Sequence, residues 1–308
     1  MGHSNTATLI FETTHGSHAY GLAGLESDLD VKGIIVGPAA WYHGYCGGPE
    51  QINLGPDHVR YEVRKFFRLA AAGNPTILEM LWTEPEDHRT VTATGHSLLA
   101  ARSQFLSKRV KDSFSGYALA QLKRIKGHRG WLLEPPREKP LRSAFGLPEQ
   151  TLVSLDQMGA VDTLLRQGAL REAELTPNFI DLMHRERRYR AAKRHWDQYQ
   201  KWLKDRNADR ASLEVRFGYD TKHAQHLVRL LRMGLEILET GLVRVRRPDR
   251  DELLAIRDGA WSYDELIRYV ESLDQRVQEA AERSVLPDAP DDAALDRLCV
   301  DIVELTLR

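Results

Sequence analysis

Two short β-rich runs near the N-terminus, Ala7 to Phe11 and Val31 to Val36, bracket the glycine turn Gly16-Ser17-His18-Ala19-Tyr20-Gly21 and constrain the rest of the chain. The pattern is strand, turn, short helix or loop, then strand. The second run is entered through Ser27-Asp28-Leu29-Asp30-Val31-Lys32-Gly33. Residues two apart on a strand share a face, so Asp28 and Asp30 are expected side by side. Adjacent carboxylates repel, and burying them costs free energy unless a cation compensates. Magnesium is a hard ion that takes oxygen ligands while also holding phosphates. Gly16 and Ser17 stand where a strand gives way to a helix, which turns backbone N–H groups and a hydroxyl towards an anion.

A chain of 308 residues, 42% hydrophobic and 28% charged, has the length and composition of a globular protein with a real core. No apolar run approaches a membrane span and no charged-then-apolar leader opens the chain, so the cytoplasm is the expected compartment, without a membrane partner. The two cysteines, Cys46 and Cys299, are too far apart in sequence to frame a metal or disulfide pattern. Net charge is −1, but it is unevenly spread. Residues 108–130 carry Lys108, Arg109, Lys111, Lys123, Arg124, Lys126 and Arg129 against Asp112, residues 184–210 carry ten Lys or Arg, and 271–308 is acidic. Basic segments in a neutral chain point to a local surface for a polyanion, with Lys123, Arg124, Arg129, Arg188 and Lys193 as candidate nucleic-acid contacts. Within 184–204 the cations alternate with Tyr189, Trp196, Tyr199 and Trp202, which suits either stacking of unpaired bases or an amphipathic helix core.

Residues 1–6 read as an irregular start, and 37–49 as a turn-rich surface loop. Residues 51–54 and 57–63 form an expected hairpin or strand pair around Gly55-Pro56. Periodicity then turns helical to a stop at Gly73, and Asn74-Pro75 caps and starts the next helix. Residues 83–92 read as a polar, irregular boundary. Beyond it helices are expected over about 97–127, 151–170, 178–205, 220–240, 261–284 and 291–307, with 127–148 too rich in Gly and Pro for long regular structure. In the helix beginning near Asp220, Ala224, Leu227, Val228, Leu231, Leu235 and Leu238 gather on one side, and Lys222, His223, His226 and Arg229 on the other. That cationic side faces either solvent or a cleft, and Asp220, His223 and His226 are also a possible zinc set.

Gly-Ser, ten residues, then Asp-x-Asp resembles the signature of the DNA polymerase beta type nucleotidyltransferase superfamily. The fuller strings Gly16-Ser17-His18-Ala19-Tyr20-Gly21 and Ser27 to Gly33 resemble its branch associated with RNA repair and RNA ligase genes. So do Lys65-Phe66 to Gly73-Asn74-Pro75-Thr76-Ile77-Leu78-Glu79, Gly127 to Trp131, Phe145 to Pro148 and Tyr219 to Leu230. The resemblance implies an α+β fold: a small mixed β-sheet nucleotidyltransferase (palm) domain over 1–92, then a mostly α-helical C-terminal domain over 93–308 that contributes nucleotide-phosphate and acceptor binding.

It also implies a third carboxylate on a strand beside the Asp-x-Asp strand. Asp57 is the candidate, ahead of Tyr61-Glu62-Val63-Arg64-Lys65-Phe66, with Glu62 as the competitor. Asp28, Asp30 and Asp57 are then catalytic and hold two Mg2+ ions, or Mn2+. Gly16, Ser17, Lys65, Lys222, His223, His226 and Arg229 bind the NTP. The expected reaction moves an NMP to a hydroxyl, foremost the 3′ end of an RNA such as a damaged tRNA, with an RNA ligase or kinase as a possible partner. Nucleotidylation of a protein or small-molecule hydroxyl, and a non-catalytic RNA-binding or regulatory protein on the same fold, are the alternatives. Oligomeric state is not readable.

Overall fold

The computed structural model describes residues 7–25, 27–151, 153–171, 175–206 and 208–308, without the side chains of 208–210. The start at 1–6 lies outside them. The expected α+β class is what is found: a small mixed sheet at the N-terminus followed by helices. By internal contacts the chain forms two compact units, one of residues 1–126 and 219–308, the other of 127–218.

In the larger unit the strands are β1 (Thr8–His15), β2 (Asp30–Val36), β3 (Gln51–Gly55), β4 (His58–Glu62) and β5 (His88–Val91). They form one sheet in the order β3-β4-β2-β1-β5. β1 and β2 are antiparallel, and β2 and β4 run parallel with Val31 opposite His58 and Ile35 opposite Glu62. β5 corrects the reading of 83–92 as irregular: its residues are mostly polar because it is an edge strand, half exposed and paired, among the described residues, with β1 alone. Between β1 and β2 lies the short helix α1 (Gly16–Tyr20), capped by Gly21 at φ 73°. The small helix α2 (Ala40–His43) follows β2.

α3 (Val63–Ala71) and α4 (Pro75–Leu81) begin where the caps were expected: the Asn74 side chain accepts from Ile77 N, and Pro75 occupies the first turn. α5 (Ala93–Ala100) and α6 (Arg109–Leu133) replace the single helix expected over 97–127, because a 3-10 turn at Arg102–Phe105 intervenes. α6 also runs through Gly127 and Gly130 rather than stopping, since a glycine inside a helix costs only about 1 kcal/mol relative to alanine. α10 (Thr221–Thr240) is flanked by α11 (Arg250–Arg257) and α12 (Tyr263–Arg283), and α13 (Asp292–Leu307) packs on α3 and α5. The core joins Ile10, Phe11, Ile34 and Val36 of the sheet to Phe66, Leu78, Phe114, Leu227 and Leu231 of the helices, all essentially buried.

The smaller unit contains α7 (Leu155–Arg166), α8 (Pro177–Asp205) and α9 (Ala208–Phe217), the last not expected from sequence. Val153, Met158 and Met183 form its small core. No described helix is long and apolar enough to cross a membrane.

Candidate active site

The acids converge where β2 begins. The β2 ladder opens at Asp30, opposite His15, so Asp28 lies just before the strand rather than on it. Asp57 sits in the turn between β3 and β4, and its carbonyl accepts a hydrogen bond from Val31 N at 2.7 Å. That bond sets Asp57 beside Asp30. Burial raises the half-buried Asp30 carboxyl above the usual carboxylate range; Lys32 opposes, while Asp57 and Asp28 add to the rise and His18 lowers it. Asp28 and Asp57 are exposed.

Gly16 abuts this cluster. Its φ is 65°, and a Cβ there would lie 2.0 Å from Asp30 Oδ2, so backbone alone fits against the carboxylate. The turn after α1 is tied down by Leu22 N to Ser17 O at 2.8 Å and by the His18 ring to Ser27 O at 3.2 Å. The structure thus brings Gly16, Ser17, Asp28, Asp30 and Asp57 to one end of the sheet.

Glu62, the competitor, stands opposite Ile35. Ile35 is five steps along β2 from Asp30, about 16 Å at the usual rise. Its carboxylate is buried and engaged: it caps α3 by accepting from Arg64 N and Lys65 N, and it accepts from Tyr42 OH at 3.1 Å and Arg64 Nε at 3.2 Å. Lys65 belongs to that end too, with Nζ 3.0 Å from Gln51 Oε1 and 3.7 Å from Glu50. The structure does not bring it to the acids.

The helix α10 departs from the simple two-faced wheel. Lys222 is exposed, but Arg229 is only 2% exposed, so the cationic side faces neither solvent nor an open cleft at that residue. Arg229 Nη1 bonds Glu79 Oε1 at 2.6 Å, and its guanidinium lies 3.7 Å over the Tyr20 ring. Tyr20 OH donates to Glu79 Oε2 at 2.5 Å, with His15 Nε2 3.5 Å from the same oxygen. A buried charge must be paired, and Arg229 is paired inside; its expected phosphate contact is corrected to this internal role. His226 Nδ1 accepts from Arg229 Nη2 at 3.2 Å, and burial, then Arg229, hold its ring down to about 3, hence neutral. His223 bonds Asp220 through Nδ1 at 2.5 Å.

In the smaller unit the aromatics of α8 pack on one another and on the end of α6: Trp131 Nε1 bonds His195 at 2.8 Å, and the Trp131, Tyr199 and Trp202 rings lie 5.4–6.0 Å apart. Packing, the plainer of the two readings, accounts for these contacts. Arg188 and Lys193 are exposed, as are Lys123 and Arg124 on α6, while Arg129 Nη1 donates to Gly218 O at 2.9 Å.

Sequence reasoning missed Lys32, which follows Asp30 by two and so shares its face; the same period-two rule that paired the acids could have found it. It also missed Glu79, whose signal is a lone acid among Ile77, Leu78, Met80 and Leu81 that demands a buried partner.

Residues 1–131 match the model of the RNA repair pathway DNA polymerase beta family, which bears out the expected resemblance for that part of the chain. Gly16, Ser17, Asp28, Asp30 and Asp57 all lie within the match, and α10 lies beyond it. An uncharacterised 38.9 kDa protein from the nrdC-mobD intergenic region of Enterobacteria phage T4 is 31% identical over 137 residues, 39% of this chain and 40% of that protein. The matched stretch is therefore less than half of that relative's length. No solved structure matches.

Proposed function

We propose that the chain is a metal-dependent nucleotidyltransferase that moves an NMP from an NTP to a hydroxyl, the 3′ end of an RNA, and releases pyrophosphate. The observation that carries this reading is the convergence of Asp28, Asp30 and Asp57 against the backbone of Gly16, inside the stretch similar to the polymerase beta type family. Three neighbouring carboxylates, one of them raised by its half-burial and by the other two, are the kind of oxygen donors that a hard divalent cation takes. Asp28 and Asp30 would hold both Mg2+ ions and Asp57 one of them. Bound there, the metal pair supplies a lowered pKa for the attacking hydroxyl and charge stabilisation on the attacking and leaving oxygens.

In the reaction the RNA 3′ oxygen forms a bond to the α-phosphorus, the α–β phosphoanhydride bond breaks, pyrophosphate carries away the bonding pair, and the hydroxyl proton passes to solvent. The chain's own part is positioning. Gly16 and Ser17 present N–H groups and a hydroxyl to the β and γ phosphates, the absent side chain at Gly16 admitting close approach. Lys32, on the Asp30 face, adds a cation there. Residues 1–92 supply these groups, and the helical remainder binds acceptor phosphates, through the exposed Lys123, Arg124 and Lys222 in the larger unit and, separately, through the exposed Arg188 and Lys193 in the smaller.

Incubation with magnesium, labelled NTPs and mixed small RNAs tests the reading. Label in RNA, lost in Asp28→Asn/Asp30→Asn, is the expected result. Label in protein or in a small molecule with RNA untouched would contradict the choice of acceptor, and full activity in the double variant would contradict the metal assignment.

A further inference from the structure

A third basic segment, 244–257, escapes a reading based on charge runs because its cations are interrupted by acids and apolar residues. The fold sets three of its arginines around the loop that follows α1. Arg250 Nε donates to Gly21 O at 2.6 Å, and Arg257 Nη1 to Leu22 O at 3.5 Å. A Cβ on Gly21 would lie 3.9 Å from Arg246 Nη1, and one on Gly24 3.8 Å from Arg257 Nη2. This loop leads from α1, which carries Gly16 and Ser17, to Asp28, so the three guanidinium groups line the segment that links two parts of the candidate active site.

Their placement is preorganised. Arg247, between them, is buried: it holds Glu236 through two bonds at 2.6 and 2.8 Å and Asp249 at 2.8 Å, and its N–H donates to Tyr20 O at 3.1 Å. Arg232 in turn grips Asp249 and Glu252. The inner acids are thus engaged by Arg232 and Arg247, and the segment is pinned to the end of α1. Arg246 and Arg250 keep half of their side-chain surface in water, each touching one acid, Asp87 at 3.3 Å and Asp251 at 2.9 Å. Exposed pairs of this kind are weak and exchangeable, and a guanidinium has five N–H donors with a geometry matched to phosphate.

We propose that Arg246, Arg250 and Arg257 form a collar that binds the phosphodiester backbone of the acceptor RNA next to its reacting end. The inference deepens the transferase reading and rests on it for the identity of the strand. The test is anisotropy of a labelled single-stranded RNA with wild-type protein and with Arg246→Gln/Arg250→Gln/Arg257→Gln, without NTP, from about 50 to 200 mM salt. The triple variant is expected to bind at least about tenfold more weakly, with a log–log salt slope smaller by about 2, since each phosphate contact on a single strand contributes about 0.7. Magnesium-ATP affinity, read by calorimetry, stays unchanged.

Because Arg250 and Arg257 also bond the loop backbone, Arg246→Gln alone is the second variant; it keeps the wild-type melting temperature and lowers the slope by about 0.7. Unchanged RNA affinity and slope in the triple variant, or no RNA binding by the wild type, would overturn the collar. So would loss of ATP affinity with RNA binding intact, which would give the arginines to the triphosphate. RNA binding is read without turnover. A protein that bound RNA through these arginines yet transferred no nucleotide would therefore refute the transferase reading and leave the collar standing.

Discussion

The two ends of the β2–β4 ladder hold acids in opposite states. At one end Asp30 has Asp28 and Asp57 as neighbours, and its carboxyl is raised by burial and, against Lys32, by those neighbours. At the other, Glu62 accepts from Arg64, Lys65 and Tyr42 and caps a helix. Both ends belong to the same pair of strands, so the difference lies in the donors that each position meets. An acid surrounded by donors holds the fold, whereas neighbouring acids raise one another's pKa and would gain from a cation.

The comparison breaks most readily by exchanging the acids for amides. Asp28→Asn/Asp30→Asn is expected to lower nucleotide transfer by at least about a thousandfold, the upper scale for losing a preorganised stabilising group. Its melting temperature should hold or rise, because like-charge repulsion is relieved. Glu62→Gln should do the reverse, leaving transfer within a few-fold while losing about 1–3 kcal/mol of stability in a denaturant titration. Equal loss of transfer in both variants would erase the distinction.

Glu79 sharpens it from the interior. It is fully buried, and Arg229 and then His15 hold its carboxyl below the usual range despite burial. Glu79→Gln or Arg229→Met alone is expected to cost about 3–5 kcal/mol, since each strands a buried charge. Glu79→Met with Arg229→Met should cost less than either, because no unpaired charge is left. Additive losses in chemical denaturation would speak against a paired role.

Gly16→Ala separates geometry from charge. Its Cβ would meet Asp30 Oδ2 at 2.0 Å, in a backbone conformation that favours glycine. Displacing that carboxylate by about an ångström is expected to reduce transfer about a hundredfold with all acids present. Retained activity would remove the close approach from the account.

The smallest effect concerns His226, faced by Arg229, His223 and Arg124 and by Glu79. Its ring stays neutral to about pH 3 in the folded chain against an ordinary 6.5. Below about 6.5 the unfolded chain therefore takes up a proton that the folded one refuses, and stability falls from there towards pH 3. His226→Gln should flatten that part of the stability–pH curve; an unchanged curve would place the ring in a different state.

Much of this was legible in residue patterns, and what was not has physical reasons. Asn74-Pro75, Gly73 and the alternation around Tyr61 mark elements through local geometry, so the hairpin and the helix starts could be read directly. The two-residue period put Asp28 and Asp30 on one strand face, but β2 begins only at Asp30, so Asp28 neighbours it from the preceding loop. The edge strand at His88–Val91 was hidden because its partner among the described residues, β1, lies some 75 residues earlier in the chain and its side chains are mostly polar. A helical wheel sets Arg229 towards solvent or a cleft because it shows one helix, and the partner that buries it, Glu79, is 150 residues away. The same limit hid Arg246, Arg250 and Arg257, whose importance comes from what the fold sets beside them.

The most direct test of the central claim is uptake of Mn2+ by the protein together with a non-hydrolysable NTP, read from the loss of the free-ion electron paramagnetic resonance signal. The account predicts uptake by the wild type and by Glu62→Gln, and its loss in Asp28→Asn/Asp30→Asn/Asp57→Asn. Undiminished uptake in the triple aspartate variant, or uptake abolished by Glu62→Gln alone, would contradict it.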